Sequence, residues 1–268
     1  TLADFAGLAG EAMAIGERSP LAALDAPASG RMAVGEAITN LLAAPIELSR
    51  VKLSANWMAA CGEAGEDAAL YDTVRAVGLE LCPALGIGIP VGKDSLSMRT
   101  RWQDETGKHQ VTAPVSLVVT AFATLADVRR TLTPQLQPAD SVLVLIDLGQ
   151  GRQRMAGSML AQVLGQFGDA VPDLDDAALL RQLVAAINTL RAQDRILAYH
   201  DRSDGGLWAA VCEMAFAGQR GVSLNVDILV TESDGIQDSR ADHGDTKNWA
   251  GQGGERRTEP TRKALSNE

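Results

Sequence analysis

The chain is 268 residues long, 46% hydrophobic and 22% charged, with a net charge of −10 at pH 7, a composition that suits one large folded domain or two moderate ones. That acidic balance excludes a general nucleic-acid surface, which needs a basic stripe to displace counterions from phosphates, so no nucleic acid is expected as a partner. No apolar run approaches the roughly 20 residues that span a bilayer, and no basic-then-apolar leader opens the chain. Cys61, Cys82 and Cys212 have neither metal-type nor disulfide-type spacing. These features lead to the expectation of a soluble cytoplasmic protein with buried thiols and no membrane partner.

The first residues carry no start signal, and the chain reads as beginning inside a domain. Over residues 29–42 the apolar positions Met32, Ala33, Ala37, Leu41 and Leu42 have helical spacing, and Glu36 and Asn40 lie one turn apart on another stripe. Residues 51–57 read as a strand and 65–81 as a helix carrying Leu70, Val74, Val77 and Leu81, with Pro83 as its stop. Residues 86–95 read as an apolar run breaking into a turn at Gly92-Lys93. Gly88 and Gly92 enclose too few residues for a phosphate loop, and Asp94 stands where that loop needs Ser or Thr. Residues 95–102 and 111–123 read as strands joined by a polar turn over 103–110, the second suited to burial on both faces through Val115, Leu117, Val118, Val119 and Ala121.

Pro134 and Pro138 among polar neighbours mark a linker, so the first domain is expected over 1–137 and the second over 138–230. The second domain reads as a strand over 141–148, helices over 158–167 and 174–191, and a short strand at 196–198. Strands alternating with helices indicate an α/β (α+β) architecture. From 231 to 268 the chain is rich in Gly, Asp, Glu, Arg, Gln and Ser; it cannot bury enough surface to offset its ordering entropy and is expected to be a disordered polar insertion or tail.

The densest chemistry lies at 200–206, where His200, Asp201, Ser203 and Asp204 precede Gly205-Gly206 and a helix start. Unpaired helix amides and Asp carboxylates suit an anion with Mg²⁺; a plain N-cap by Ser203 or Asp204 is the alternative. Glu36 and Asn40 offer two hard oxygen donors on one helix face, or else form a solvated hydrogen-bonding pair. Gly149 and Gly151 lack the third glycine of a dinucleotide loop, Gly157-Ser158 reads as a cap, and Lys93-Asp94 reads as a surface ion pair. His109 and His243 sit in polar surroundings. The cysteines have no local histidine, so no covalent nucleophile and no catalytic residue is assigned.

Several stretches taken together carry a resemblance: residues 10–18, 34–40, 52–58 and 90–98, then 200–206 and 212–218, in that order. In that arrangement the chain resembles the synthetase part of the long-form phosphoribosylformylglycinamidine synthase family over about residues 10–226. Residues 264–268 resemble a further family turn, with Ser266 in place of Phe. The resemblance implies paired domains like those of aminoimidazole ribonucleotide synthetase, incomplete in this chain. The reaction it implies is ATP-dependent activation of an amide oxygen of formylglycinamide ribonucleotide, followed by replacement with glutamine-derived ammonia. By motif it further implies Glu36, Asn40 and Asp201 as Mg²⁺ ligands and Ser203 as a contact to ATP or ADP; with other parts of the family's enzyme not in this sequence, the chain is expected to be inactive by itself. A non-catalytic nucleotide-Mg²⁺ module of that enzyme is the alternative. A small-molecule kinase of the same fold fits the 52–58 and 90–98 motifs less well.

Overall fold

A computed structural model describes residues 1–3, 5–226 and 229, together with the backbone of Ile236–Arg240. In chain order the elements are β1 (Gly10–Glu17), α1 (Ala26–Leu41), β2 (Lys52–Met58), α2 (Glu66–Val74), a π-helical stretch (Arg75–Leu81), α3 (Cys82–Leu85), β3 (Gly88–Ser95), β4 (Arg99–Asp104), β5 (Gly107–Thr112) and β6 (Ser116–Leu125). They continue with β7 (Val142–Ile146), α4 (Met159–Val163), α5 (Ala177–Ala192), α6 (Gly206–Gly218) and β8 (Ile236–Arg240). The chain divides into two compact units. The first comprises Thr1–Thr131 with Val171–Ile196, and the second comprises Leu132–Ala170 with the chain from Leu197 on.

The first unit is built on a four-stranded sheet in the order β1-β6-β2-β3, with β6 antiparallel to β1 and β2, and β2 parallel to β3. Strand alternation places Leu53 and Ala55 of β2 with Leu117, Val119 and Ala121 of β6 in the core, beside Ala33, Val34, Ala37 and Ile38 of α1. Each of the larger side chains contributes about 1.5–3 kcal/mol by leaving water. The opposite face of the sheet stays partly open, with Met13, Ile15 and Phe122 exposed, so β6 is buried on one face rather than on two. Strand β1 escaped the sequence reading because its large residues are on the open face and its helix-facing row is Gly10, Ala12, Ala14 and Gly16.

Helix α1 starts where Asp25 accepts from the Ala28 amide at 2.9 Å, ahead of Pro27 in its first turn. At Gly30 a Cβ would meet Thr73 Cγ2 at 2.6 Å and Val77 Cγ2 at 3.0 Å, so the glycine lets α1 pack closely on the next helix. Pro83 does not stop that helix: the chain passes through the π-helical stretch into α3, where the proline occupies the first turn and needs no N–H partner. Gly86, at φ 72, ends it. Nor is Gly92-Lys93 a turn. Both residues lie in β3, and a Cβ on Gly92 would stand 2.8 Å from Ala55 O of the neighbouring strand.

The polar stretch over 103–110 is mostly strand. β4 and β5 pair across a tight turn in which Asp104 Oδ1 accepts from Thr106 N and Oγ1, because an exposed ribbon needs main-chain partners and not an apolar face. His109 stacks on Trp102 with ring centroids 5.2 Å apart. Helix α5 belongs with the first unit. Arg31 Nε and Nη2 of α1 donate to the two oxygens of Asp173 at 2.8 and 2.5 Å, and Asn188 Nδ2 donates to Ile46 O at 2.8 Å. Arg191, almost wholly buried, donates to Leu42 O and to Ala43 O just past the end of α1.

In the second unit β7 and β8 pair antiparallel, and Ser158 caps α4 by accepting from Ala161 N. Helix α4 is shorter than the sequence suggests. Residues 196–198 form no strand; the Tyr199 amide instead donates to Thr133 O at 3.0 Å. The expectation of unpacked chain over 231–268 falls outside the described residues except for the backbone of β8. His243 also lies outside them. Cys82 is buried while Cys61 and Cys212 are partly exposed, so only the first of these meets the expectation of a buried thiol; all three are free. Among the described residues no helix is long and apolar enough to cross a membrane.

Candidate functional site

Glu36 and Asn40 stand one turn apart on α1, both partly exposed, and both turn toward the end of β1. Glu36 Oε2 accepts from the Glu17 amide at 2.7 Å, and Asn40 Nδ2 donates to Ile15 O at 3.0 Å. The second bond fixes the orientation of the asparagine: its nitrogen is committed to the strand, which leaves Oδ1 as its acceptor on the other side. The Glu17 carboxylate in turn accepts from Ser19 N at 2.9 Å, and Ser29 Oγ donates to Arg18 O at 2.7 Å. The turn after β1 is thereby folded onto α1. A carboxylate beside an amide oxygen is the hard donor chemistry that Mg²⁺ accepts.

Asp201 and Ser203 belong to the second unit. His200 Nδ1 lies 3.4 Å from Asp201 Oδ1, and its Nε2 lies 2.7 Å from Glu213 Oε2 on α6. The neighbouring Arg202 Nη2 is 3.4 Å from Asp147 Oδ1. Asp147 also accepts from the amides of Gly149 and Gly151, each at 2.9 Å. The turn is thus braced by α6 and by the loop after β7. Ser203 O accepts from Gly206 N at 2.9 Å, and Gly205, at φ 84, takes the N-cap position of α6 because the left-handed backbone favours glycine.

Sequence reasoning missed three supports: the Ile15–Glu17 main chain, Glu213 and Asp147. The signal for Asp147 was a carboxylate just ahead of Gly149 and Gly151, whose amides it collects. Glu213 carried no such sign, since thirteen residues of chain separate it from His200. Among the described residues no group of three or more His, Cys, Asp or Glu side chains is placed to hold a metal ion.

An α/β protein built from domains like those of aminoimidazole ribonucleotide synthetase is the class that this fold defines. Residues 1–124 match the FGAR-AT PurM_N-like domain, and residues 138–248 match the AIR synthase related protein, C-terminal domain. The chain belongs to the family of PurL-like FGAR amidotransferases, in their synthetase part.

Among solved structures, Thermotoga maritima PurL complexed with FGAR is similar at 14% identity and a TM-score of 0.60, over 82% of this chain and 33% of that one. The same protein complexed with AMPPCP is similar at 12% identity and a TM-score of 0.56, over 87% and 36%. Thiamine-monophosphate kinase from Stenotrophomonas maltophilia K279a is similar at 19% identity and a TM-score of 0.51, over 84% and 66%. The likeness to these structures is one of fold. The chain spans about a third of the length of the PurL chains that it matches.

Proposed function

We propose that this chain is a nucleotide-holding part of an ATP-dependent C–N ligase that converts formylglycinamide ribonucleotide to formylglycinamidine ribonucleotide with glutamine-derived ammonia. Glu36, Asn40 and Asp201 are its Mg²⁺ ligands, and Ser203 contacts ATP or ADP. The observation that carries this reading is the pairing of Glu36 with an Asn40 whose amide nitrogen is already committed to Ile15 O. That arrangement presents oxygen donors together in a chain that matches both synthetase domains. When bound, Mg²⁺ neutralises phosphate charge; the protein supplies oxygen ligands, glycines that admit close backbone approach at 205–206, and bracing around Asp201.

A second reading is a nucleotide-Mg²⁺ module without chemistry of its own. One experiment separates the two. Binding of ADP and ATP with and without Mg²⁺ is measured by calorimetry, alongside ammonia-dependent ATP hydrolysis with and without formylglycinamide ribonucleotide. Mg²⁺-dependent binding without turnover is expected, and Asp201→Ala should weaken it at least about tenfold. Substrate-stimulated hydrolysis by this chain would overturn the module reading, and folded chain that binds no nucleotide would overturn both.

A further inference from the structure

Gly16 lies in β1 between the two main-chain groups that hold the candidate ligands, Ile15 C=O and Glu17 N–H. Strand alternation turns the side chains of Ile15 and Glu17 to the open face and Gly16 toward α1. A Cβ on Gly16 would lie 2.2 Å from Ala33 O and 2.4 Å from Ala37 N. These are main-chain atoms of the helix, which cannot swing aside as the end of a side chain can. Strand and helix would have to part by about 1 Å to restore ordinary contact. Bonds of 2.7 and 3.0 Å lengthened by that amount no longer hold either ligand.

We propose that Gly16 is a positioning residue for the cation site: by omitting a side chain it presses the Ile15–Glu17 main chain onto α1, where that main chain orients Glu36 Oε2 and the Asn40 amide. The proposal rests on the reading of Glu36 and Asn40 as cation ligands. It adds that their geometry is set from β1, and that Asn40 is asparagine because its nitrogen must donate to Ile15 O while its oxygen faces the cation.

The test uses Mn²⁺ as the probe, titrated into the full chain with ADP present and followed by electron paramagnetic resonance. Gly16→Ala is expected to weaken Mn²⁺ binding about tenfold to a hundredfold, the usual loss when a group supporting a ligand is displaced. Metal-free ADP affinity should stay within about twofold, a split that general loosening of the fold would not give. Asn40→Asp is expected to weaken Mn²⁺ despite its added negative charge, because a second oxygen cannot donate to Ile15 O. In the wild type the Asn40 side-chain amide protons should exchange slowly with solvent.

If Gly16→Ala binds Mn²⁺ normally while Glu36→Gln does not, the positioning role is overturned and the cation reading stands. If Glu36→Gln also binds normally, the cation reading itself fails. Should Gly16→Ala not fold, tighter Mn²⁺ binding by Asn40→Asp, or fast exchange of the Asn40 amide in the wild type, overturns the proposal.

Discussion

Replacing Arg191 by methionine tests what holds the far end of the helix that carries Glu36 and Asn40. Arg191 is 5% exposed, and its guanidinium donates to Leu42 O, to Ala43 O and, from Nη1, to Asn188 Oδ1 at 2.6 Å. Methionine keeps much of the stem volume but leaves two carbonyls at the end of α1 without that donor. Each buried acceptor so stranded costs about 1–3 kcal/mol, and the lost cation at a helix C-terminus costs about 0.3–1 kcal/mol more. Against this stands the desolvation that a buried guanidinium no longer suffers, about 20 kcal/mol in the idealised limit and several kcal/mol after relaxation. A net loss of about 2–4 kcal/mol is expected. Native-state hydrogen exchange at the amides of α1 and α5, compared with urea unfolding, reads that loss in the first unit alone. Protection of α1 unchanged to within about 0.5 kcal/mol would refute the reasoning, because it would mean that the carbonyls find water or that the desolvation cost cancels the bonds.

Gly30→Ala should destabilise the first unit by about 1–3 kcal/mol, because its Cβ would stand 2.6 Å from Thr73 Cγ2; a shift in the urea midpoint checks it, and a neutral result would mean that Thr73 rotates away freely. Burial pushes the Cys82 thiol up from its ordinary 9.0 to about 11, so at pH 8 iodoacetamide should modify the partly exposed Cys212 well before Cys82. With the folded value above the unfolded one, the Cys82 contribution to stability is intact below pH 9 and falls as pH rises from there toward 11. Cys82→Ala should remove that alkaline decline, which unfolding measured across the pH range would show.

The fold class, the helix bearing Glu36 and Asn40, its partner strands β2 and β6 and the helix after Gly206 were legible from local signals. Periodic apolar residues and a glycine pair ahead of a helix start act within a few residues of chain. Motif order carried the resemblance to the synthetase family, which the domain matches then bore out. What the sequence alone left open was the identity of the supports. Strand β1 looked like no strand because small residues face a helix backbone that only the folded chain brings near. Pro83 and Gly92 looked like breaks, since a proline at a helix start and a glycine beneath a neighbouring carbonyl are told from stops and turns only by what lies across from them. The transfer of 171–196 to the first unit depends on Arg31–Asp173 and Arg191–Leu42, contacts between residues more than a hundred positions apart. Local chemistry determined which residues are candidates for the site; the tertiary structure alone decided that Glu36 and Asn40 answer to β1, because hydrogen bonds between distant segments exist only once both backbones are in place.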